Sequence, residues 1–251
     1  MSKMHTPIAV FDSGLGGISV LRELVKLMPA EEYLYFGDNA NAPYGERTTE
    51  QVRQLTLQAA QMLFDRGAKA LVVACNTATA AAIEILRQTW QDKIIVGIEP
   101  AVKLAAEHCS GNIGIMATAV TLREEKLANL VHRFAERTFF PICPSGLVPL
   151  IEKGASEAEL RGYLEPVLAP YRGKLDAMVL GCTHYPFASA VISDILPGVQ
   201  LVDGGAGTAR QTKRLLEKAG LLSQGSGEIQ IENSAASPEF VTRAMAFLEE
   251  I

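Results

Sequence analysis

The 251-residue sequence predicts an α/β protein of two similar domains, each a largely parallel sheet flanked by helices, related by a pseudo-two-fold duplication. Two observations predict it. Short, fully apolar runs alternate with segments of helical period, and the alternation repeats itself along the chain at a nearly constant offset.

The apolar runs Ile8–Phe11, Tyr33–Phe36, Ala70–Ala74, Ile94–Ile98, Ile113–Ala117, Thr138–Ile142, Ala177–Gly181 and Val199–Val202 read as buried strands, short and rich in Val, Ile and aromatics. Between them, Leu15, Ile18, Leu21, Leu24, Val25 and Met28 mark one helix face, stopped by Pro29. Val52, Leu55, Ala59, Met62 and Leu63 mark a second, closed by Gly67. Ser156 followed by Glu159 is a capping box that opens another helix.

The repeat aligns Ile8–Ser13 with Ile113–Thr118 and Tyr33 with Thr138, both at an offset of 105, and Leu71–Thr77 with Met178–His184, where the cysteines are 107 apart. Three matches at nearly one offset imply duplication. The second copy spans 99–207, and residues 208–251 return to complete a discontinuous first domain with 1–98. Within that return, Gly225–Gly227 reads as a loop, Glu228–Ile231 as an edge strand and Pro238–Glu250 as a closing helix. Two such sheets can face each other across an active-site cleft at the carboxyl ends of their strands.

Composition narrows the function. With 48% hydrophobic and 20% charged residues the chain is an ordinary globular protein, and a net charge of −5 with scattered Lys and Arg gives no track for nucleic acid. The first eleven residues lack the apolar core of a signal peptide, and no run reaches the ~18 apolar residues of a membrane span. Four dispersed cysteines suit the reducing cytoplasm.

Cys75 and Cys182 each end an apolar strand and precede a predicted helix, Ala78–Arg87 and Pro186–Ile195 respectively. A thiol at a helix N-terminus meets unpaired N–H groups that favour the thiolate. A lone Cys in that position reads more readily as a small core residue. The symmetric pair fits one reaction: inversion of a stereocentre, with a proton removed from one face and delivered to the other. Asn76-Thr77 and Thr183-His184 follow the cysteines and serve either as helix caps or as holders of a carboxylate. Asp12-Ser13-Gly14-Leu15-Gly16-Gly17 fits neither a dinucleotide fingerprint nor a phosphate loop. Asp12 is then a cap, a contact for a substrate ammonium or a group that tunes the thiol. Gly37-Asp38-Asn39 and Pro43-Tyr44-Gly45 read as a plain surface turn. Glu152 reads as a solvated position near a helix, and Cys109 and Cys143 as structural. A Cys/His/Asp zinc site lacks the usual ligand spacing.

Asp12-Ser13-Gly14-Leu15-Gly16-Gly17, Gly37-Asp38, Pro43-Tyr44-Gly45, Cys75-Asn76-Thr77-Ala78, Gly97-Ile98-Glu99-Pro100-Ala101 and Gly181-Cys182-Thr183-His184-Tyr185-Pro186 occur in the order and spacing of a known family. On these motifs the chain resembles the glutamate racemases of the aspartate/glutamate racemase superfamily. The resemblance implies interconversion of L- and D-glutamate without PLP or any other cofactor, supplying D-glutamate for peptidoglycan. It implies Cys75 and Cys182 as proton donor and acceptor, with Asp12, Glu152 and His184 assisting the thiols. It implies substrate contacts from Asp12, Ser13, Tyr44, Gly45, Asn76, Thr77, Thr118, Thr121, Thr183 and His184. Dimers are common in the family, with modes that differ between bacteria, so a homodimer is compatible with the chain. Ile229–Ser234 departs from the family's Thr-Ser-Gly-like segment, and Asp203-Gly204-Gly205 lacks a serine often seen there. The rival readings are an aspartate or hydantoin racemase, an amino-acid-binding protein, and a thiol hydrolase, which leaves the second Cys unexplained.

Overall fold

The computed structural model describes residues 6–98, 101–123 and 125–249. The extreme N-terminus, Glu99-Pro100 and Glu250 of the readings above lie outside the described residues. The chain divides into two compact units, Met1–Ile98 with Gly205–Ile251, and Glu99–Gly204.

The first unit runs β1 (Ile8–Asp12), α1 (Ile18–Leu27), β2 (Tyr33–Gly37), α2 (Thr49–Asp65), β3 (Ala70–Val73), α3 (Asn76–Thr89) and β4 (Ile94–Gly97). The second contains α4 (Val102–His108), β5 (Ile113–Ala117), α5 (Ala119–Arg123), α6 (Glu125–His132), β6 (Phe139–Ile142), α7 (Leu147–Glu152), α8 (Glu157–Leu168), β7 (Ala177–Gly181), α9 (Ser189–Ile195) and β8 (Gln200–Val202). The chain then re-enters the first unit with α10 (Gly205–Ala219), β9 (Ile229–Asn233) and α11 (Pro238–Glu249).

Both sheets are parallel throughout, ordered β4-β3-β1-β2-β9 and β6-β5-β7-β8. Read from the opposite edge, the second is β8-β7-β5-β6, the strand order of the first without β9. The register repeats too. Ile8 pairs with Tyr33 and Ala70, and Ile113 pairs with Phe139 and Ala177. Tyr33 therefore corresponds to Phe139, one residue beyond the Thr138 read from the sequence. Thr138 instead accepts the Ile113 amide with its carbonyl, the part Glu32 plays for Ile8.

Alternation along the strands decides which helices cover each face. In the first sheet Ala9, Phe11, Leu34, Leu71, Val73 and Ile95 pack against Val52, Ala59 and Leu63 of α2 and Ala78, Ala82 and Leu86 of α3. Tyr33 points to the opposite face, where its hydroxyl donates to the Leu24 carbonyl in α1 and the Met28 carbonyl just beyond it, both at 2.9 Å. In the second sheet Ile113, Ile115, Ala117, Ala177 and Val179 pack on Val102, Ala105 and Ala106 of α4 and Leu127 of α6. Strands covered on both faces need continuous apolar sequence, so β1, β5 and β7 are buried at every position.

Local signals set the helix ends. Thr48 with Gln51 and Ser156 with Glu159 form complete capping boxes at α2 and α8. Gly67, with φ +90°, closes α2 in a conformation that suits glycine. Ala74 and Ile98 fall just outside β3 and β4. Their amides still donate to Phe11 and Val73, but the reciprocal ladder bonds have ended.

A buried ion pair fastens the returning segment. Lys69 Nζ lies 2.6 Å from Glu31 Oε2, with side-chain exposures of 6% and 2%. Lys69 also donates to the Leu221 carbonyl at 2.8 Å, and Ser223 donates to Glu31 through its amide and its hydroxyl. Each charge is thereby satisfied without water, the condition for keeping ions in an interior. Beyond it β9 pairs with β2 along Tyr33–Gly37, running two residues further than the sequence reading, and Arg66 grips Glu232 with both terminal nitrogens.

Candidate active site

The site residues fall into two clusters, one in each unit, both at the carboxyl ends of central strands.

In the first unit β1 and β3 are neighbours, so the residues that follow them meet. The Cys75 thiol donates to the Ser13 hydroxyl at 3.7 Å, and its sulfur accepts the Ala78 amide at 3.4 Å as the N-cap of α3. The positive end of a fourteen-residue helix thus faces this sulfur. Asp12 is fully buried, and its Oδ1 accepts the Gly14 amide at 2.9 Å. It shapes the loop and does not cap α1, whose N-cap is Gly17. A side chain at position 17 would bring a Cβ within 2.6 Å of the Asp12 Cβ and 2.9 Å of the Tyr35 hydroxyl, so glycine is required there.

Tyr44 reaches the same cluster from the loop after β2. It is buried with Phe11, Cys75 and Ala78, and its hydroxyl donates to Asp38 Oδ2 at 2.6 Å. Burial first, then the hydrogen bond to the Asp38 carboxylate and the charges at Asp38, Cys75 and Asp12, hold this phenol far above its ordinary pKa. The turn of Tyr44–Glu46, which carries Gly45, packs on α3. This loop is no plain surface turn. Asp38 is 5% exposed, because Asn41 and Tyr44 between them satisfy its carboxylate inside the protein.

In the second unit Gly181 pairs with Ala117, so Cys182 and Thr118 leave adjacent strand ends. Thr118 Oγ1 lies 3.0 Å from Thr121 Oγ1 and accepts the Thr121 amide. Cys182 Sγ lies 3.7 Å from His184 Nδ1, and the other ring nitrogen, Nε2, lies 2.9 Å from Glu152 Oε1. His184 is buried, which disfavours its charge. The hydrogen bonds to Cys182 and Glu152, reinforced by their charges, outweigh that cost and raise its pKa to about 10. A protonated ring donates at both ends, toward the sulfur and toward the carboxylate.

Residues 8–212 match the sequence pattern of the Asp/Glu/Hydantoin racemase family. The chain belongs to that racemase family. Among its relatives, the glutamate racemase of Clostridium kluyveri is 48% identical over 257 residues, with 100% of both chains covered. That of Clostridium perfringens is 43% identical, with 98% of this chain and 97% of the relative covered. The racemase fold is similar to the crystal structure of the Francisella tularensis glutamate racemase in complex with D-glutamate, at a TM-score of 0.87 and 28% identity over 98% and 94% of the two chains. It is also similar to the Escherichia coli glutamate racemase with L-glutamate and the activator UDP-MurNAc-ala, at a TM-score of 0.83 and 32% identity over 98% and 95%.

The racemase sequence differs from its reading at several points. Asn76 and Thr77 are the first two residues of α3, not its cap, which is Cys75 itself. No α-helix opens directly after Cys182. Tyr185–Ala188 form a 3₁₀ turn, with the Tyr185 amide on the Cys182 carbonyl, and α9 begins only at Ser189. Pro186 has no amide to donate to an i−4 carbonyl at this point. Glu152 is half-buried on His184 and not simply solvated. Thr183 is buried beside Cys182. Cys109 is buried, with its thiol donating to Gln200 at 3.3 Å, whereas Cys143 is exposed and has no part in a core. Among the described residues no group of three or more His, Cys, Asp or Glu is arranged to hold a metal ion, and no helix is long and apolar enough to cross a membrane. Tyr35, which the sequence shows only as part of a strand, also serves the site. Its hydroxyl donates to the Gly14 carbonyl at 2.6 Å and fixes the glycine loop.

Proposed function

We propose that this chain interconverts L- and D-glutamate by two-base proton transfer at the α-carbon, without PLP, and supplies D-glutamate for peptidoglycan in the cytoplasm. The observation that carries the reading is the pair of cysteines at the ends of the topologically equivalent strands β3 and β7, each beside a different group that favours its thiolate. The full-length relatives named glutamate racemase support glutamate as substrate.

In this mechanism one sulfur enters as thiolate and removes the α-proton while the other, as thiol, delivers a proton to the opposite face. The roles exchange when the reaction runs backward. A free thiol titrates near ~8.5, so each sulfur needs help at neutral pH. For Cys75 the help is the N-terminus of α3, and for Cys182 it is the His184 imidazolium held by Glu152. Asp12 assists the Cys75 side and contacts the substrate with Ser13, Tyr44, Gly45, Asn76 and Thr77. Thr118, Thr121, Thr183 and His184 contact it as well. Hydroxyls and amide groups at the strand ends suit carboxylates, and donors aimed at the charge that develops on deprotonation lower the barrier.

The experiment is incubation of the purified protein with D-glutamate in deuterated water, without added cofactor. Loss of optical rotation together with deuterium at the α-carbon is the expected result, with D-aspartate left unchanged. Glutamate recovered unlabelled and optically intact refutes the reading.

A further inference from the structure

We infer that Asp38 is a positioning residue that acts through Tyr44, and that the returning C-terminal segment at Ser234–Ala235 clamps the other side of the same loop. The inference rests on the reading above, in which Tyr44-Gly45 touches substrate.

The loop from Asp38 to Glu46 is held by two sets of bonds. On the inside, Asp38 accepts the Tyr44 hydroxyl at 2.6 Å and the Asn41 amide at 3.0 and 3.2 Å. Its own backbone amide donates to the Asp12 carbonyl at 2.9 Å, so the loop is keyed to the strand end that carries Asp12-Ser13. On the outside, the Ala40 amide donates to Ser234 Oγ at 2.9 Å and the Ala235 amide to Asn39 Oδ1 at 3.1 Å, while the Ser234 amide holds the Gly37 carbonyl. The segment that departs from the family pattern thus meets the loop carrying Tyr44. Asp38 also borders a cavity of about 190 Å³ lined by Phe36, Leu55, Gln58 and Met62.

Asp38 neither removes nor delivers a proton here. It is one buried carboxylate that fixes where the Tyr44 ring stands relative to Phe11 and Cys75, with the Tyr44 and Phe11 ring centres 6.3 Å apart. Its removal should weaken substrate binding more than turnover.

The test compares Asp38→Ala, Asp38→Asn, Ser234→Ala, Tyr44→Phe and the Asp38→Ala/Tyr44→Phe double variant. Asp38→Ala should raise KM for D-glutamate about tenfold or more with kcat within about threefold of wild type. Asp38→Asn keeps an oxygen for the Tyr44 hydroxyl and should recover most of that loss. Adding Asp38→Ala to Tyr44→Phe should change KM by less than about twofold, since both remove the same bond. An unchanged KM in Asp38→Ala, or effects that multiply in the double variant, overturns the inference. Wild-type turnover is measured first. If glutamate is left untouched, the functional reading fails, and backbone amide exchange across residues 39–46 tests the clamp by itself. Asp38→Ala and Ser234→Ala should each speed exchange there about tenfold while β1 and β3 keep their protection. Unaltered exchange in both overturns the clamp.

Discussion

The Nδ1 atom of His184 lies 3.7 Å from the sulfur of Cys182, in a buried ring whose opposite nitrogen meets Glu152 at 2.9 Å. Beside Cys75 stand the N-terminus of α3 and the Ser13 hydroxyl. The two thiols are therefore equivalent in topology and different in environment.

Replacing His184 with Gln removes the charge beside Cys182 and should lower kcat/KM for glutamate about 10–100-fold. The two enantiomers are equal in free energy, so the loss must be the same in both directions. Steady-state kinetics from L- and from D-glutamate check this. An unaffected rate removes His184 from the mechanism.

The same histidine predicts a pH dependence of stability. Its folded pKa, about 10, lies above the ordinary 6.5, so the charged ring is bound more tightly in the native state. That contribution is fully present below about 6.5 and fades as pH rises through about 10. Chemical denaturation at pH 6 and pH 10 should show wild type losing more stability over this interval than His184→Gln. Parallel losses in the two proteins contradict the assignment.

Glu152→Gln should act through the ring. Without the carboxylate, His184 gives up its proton at lower pH, so the alkaline limb of the kcat/KM profile should move down by about one unit. The profile of the coupled thiol–imidazolium group is the quantity to compare, measured with D-glutamate.

Lys69→Met strands Glu31 as a buried charge at the junction with the returning segment, and should cost about 3–5 kcal/mol in urea unfolding. Glu31→Leu with Lys69→Met removes both ions and should recover much of the loss. Equal destabilisation by the single and the double variant would show that packing, and not charge, is at stake.

Ala236 sits at φ +52° between β9 and α11, a conformation that costs a residue with a Cβ about 1–2 kcal/mol. Ala236→Gly should raise unfolding stability by about 0.5–1 kcal/mol, net of glycine's extra chain entropy. Thermal unfolding reads it directly.

How much of this was legible in the sequence follows from the range of the interactions. The strands, the Ser156 capping box and the placement of both cysteines at strand ends were readable because apolar period and punctuation are local. The 105-residue repeat was readable because duplication preserves order. The burial of Asp38 was not, since its residue chemistry is that of a turn and only Tyr44 folding back makes it a buried acceptor. Glu152 meets a histidine 32 residues later, Tyr35 a carbonyl 21 residues earlier, and Ser234 an amide 194 residues away. No local pattern announces such contacts. The turn after Cys182 was misread as helix because apolar spacing cannot distinguish a 3₁₀ start from an α-helical one.

The central claim is that two sulfurs share one proton transfer, and substituting each in turn tests it most directly. Turnover of D-glutamate by Cys75→Ser and by Cys182→Ser should fall at least about a thousandfold in each, because a hydroxyl is far too weak an acid to stand as the charged partner near neutral pH. Wild-type turnover in either variant would contradict the account.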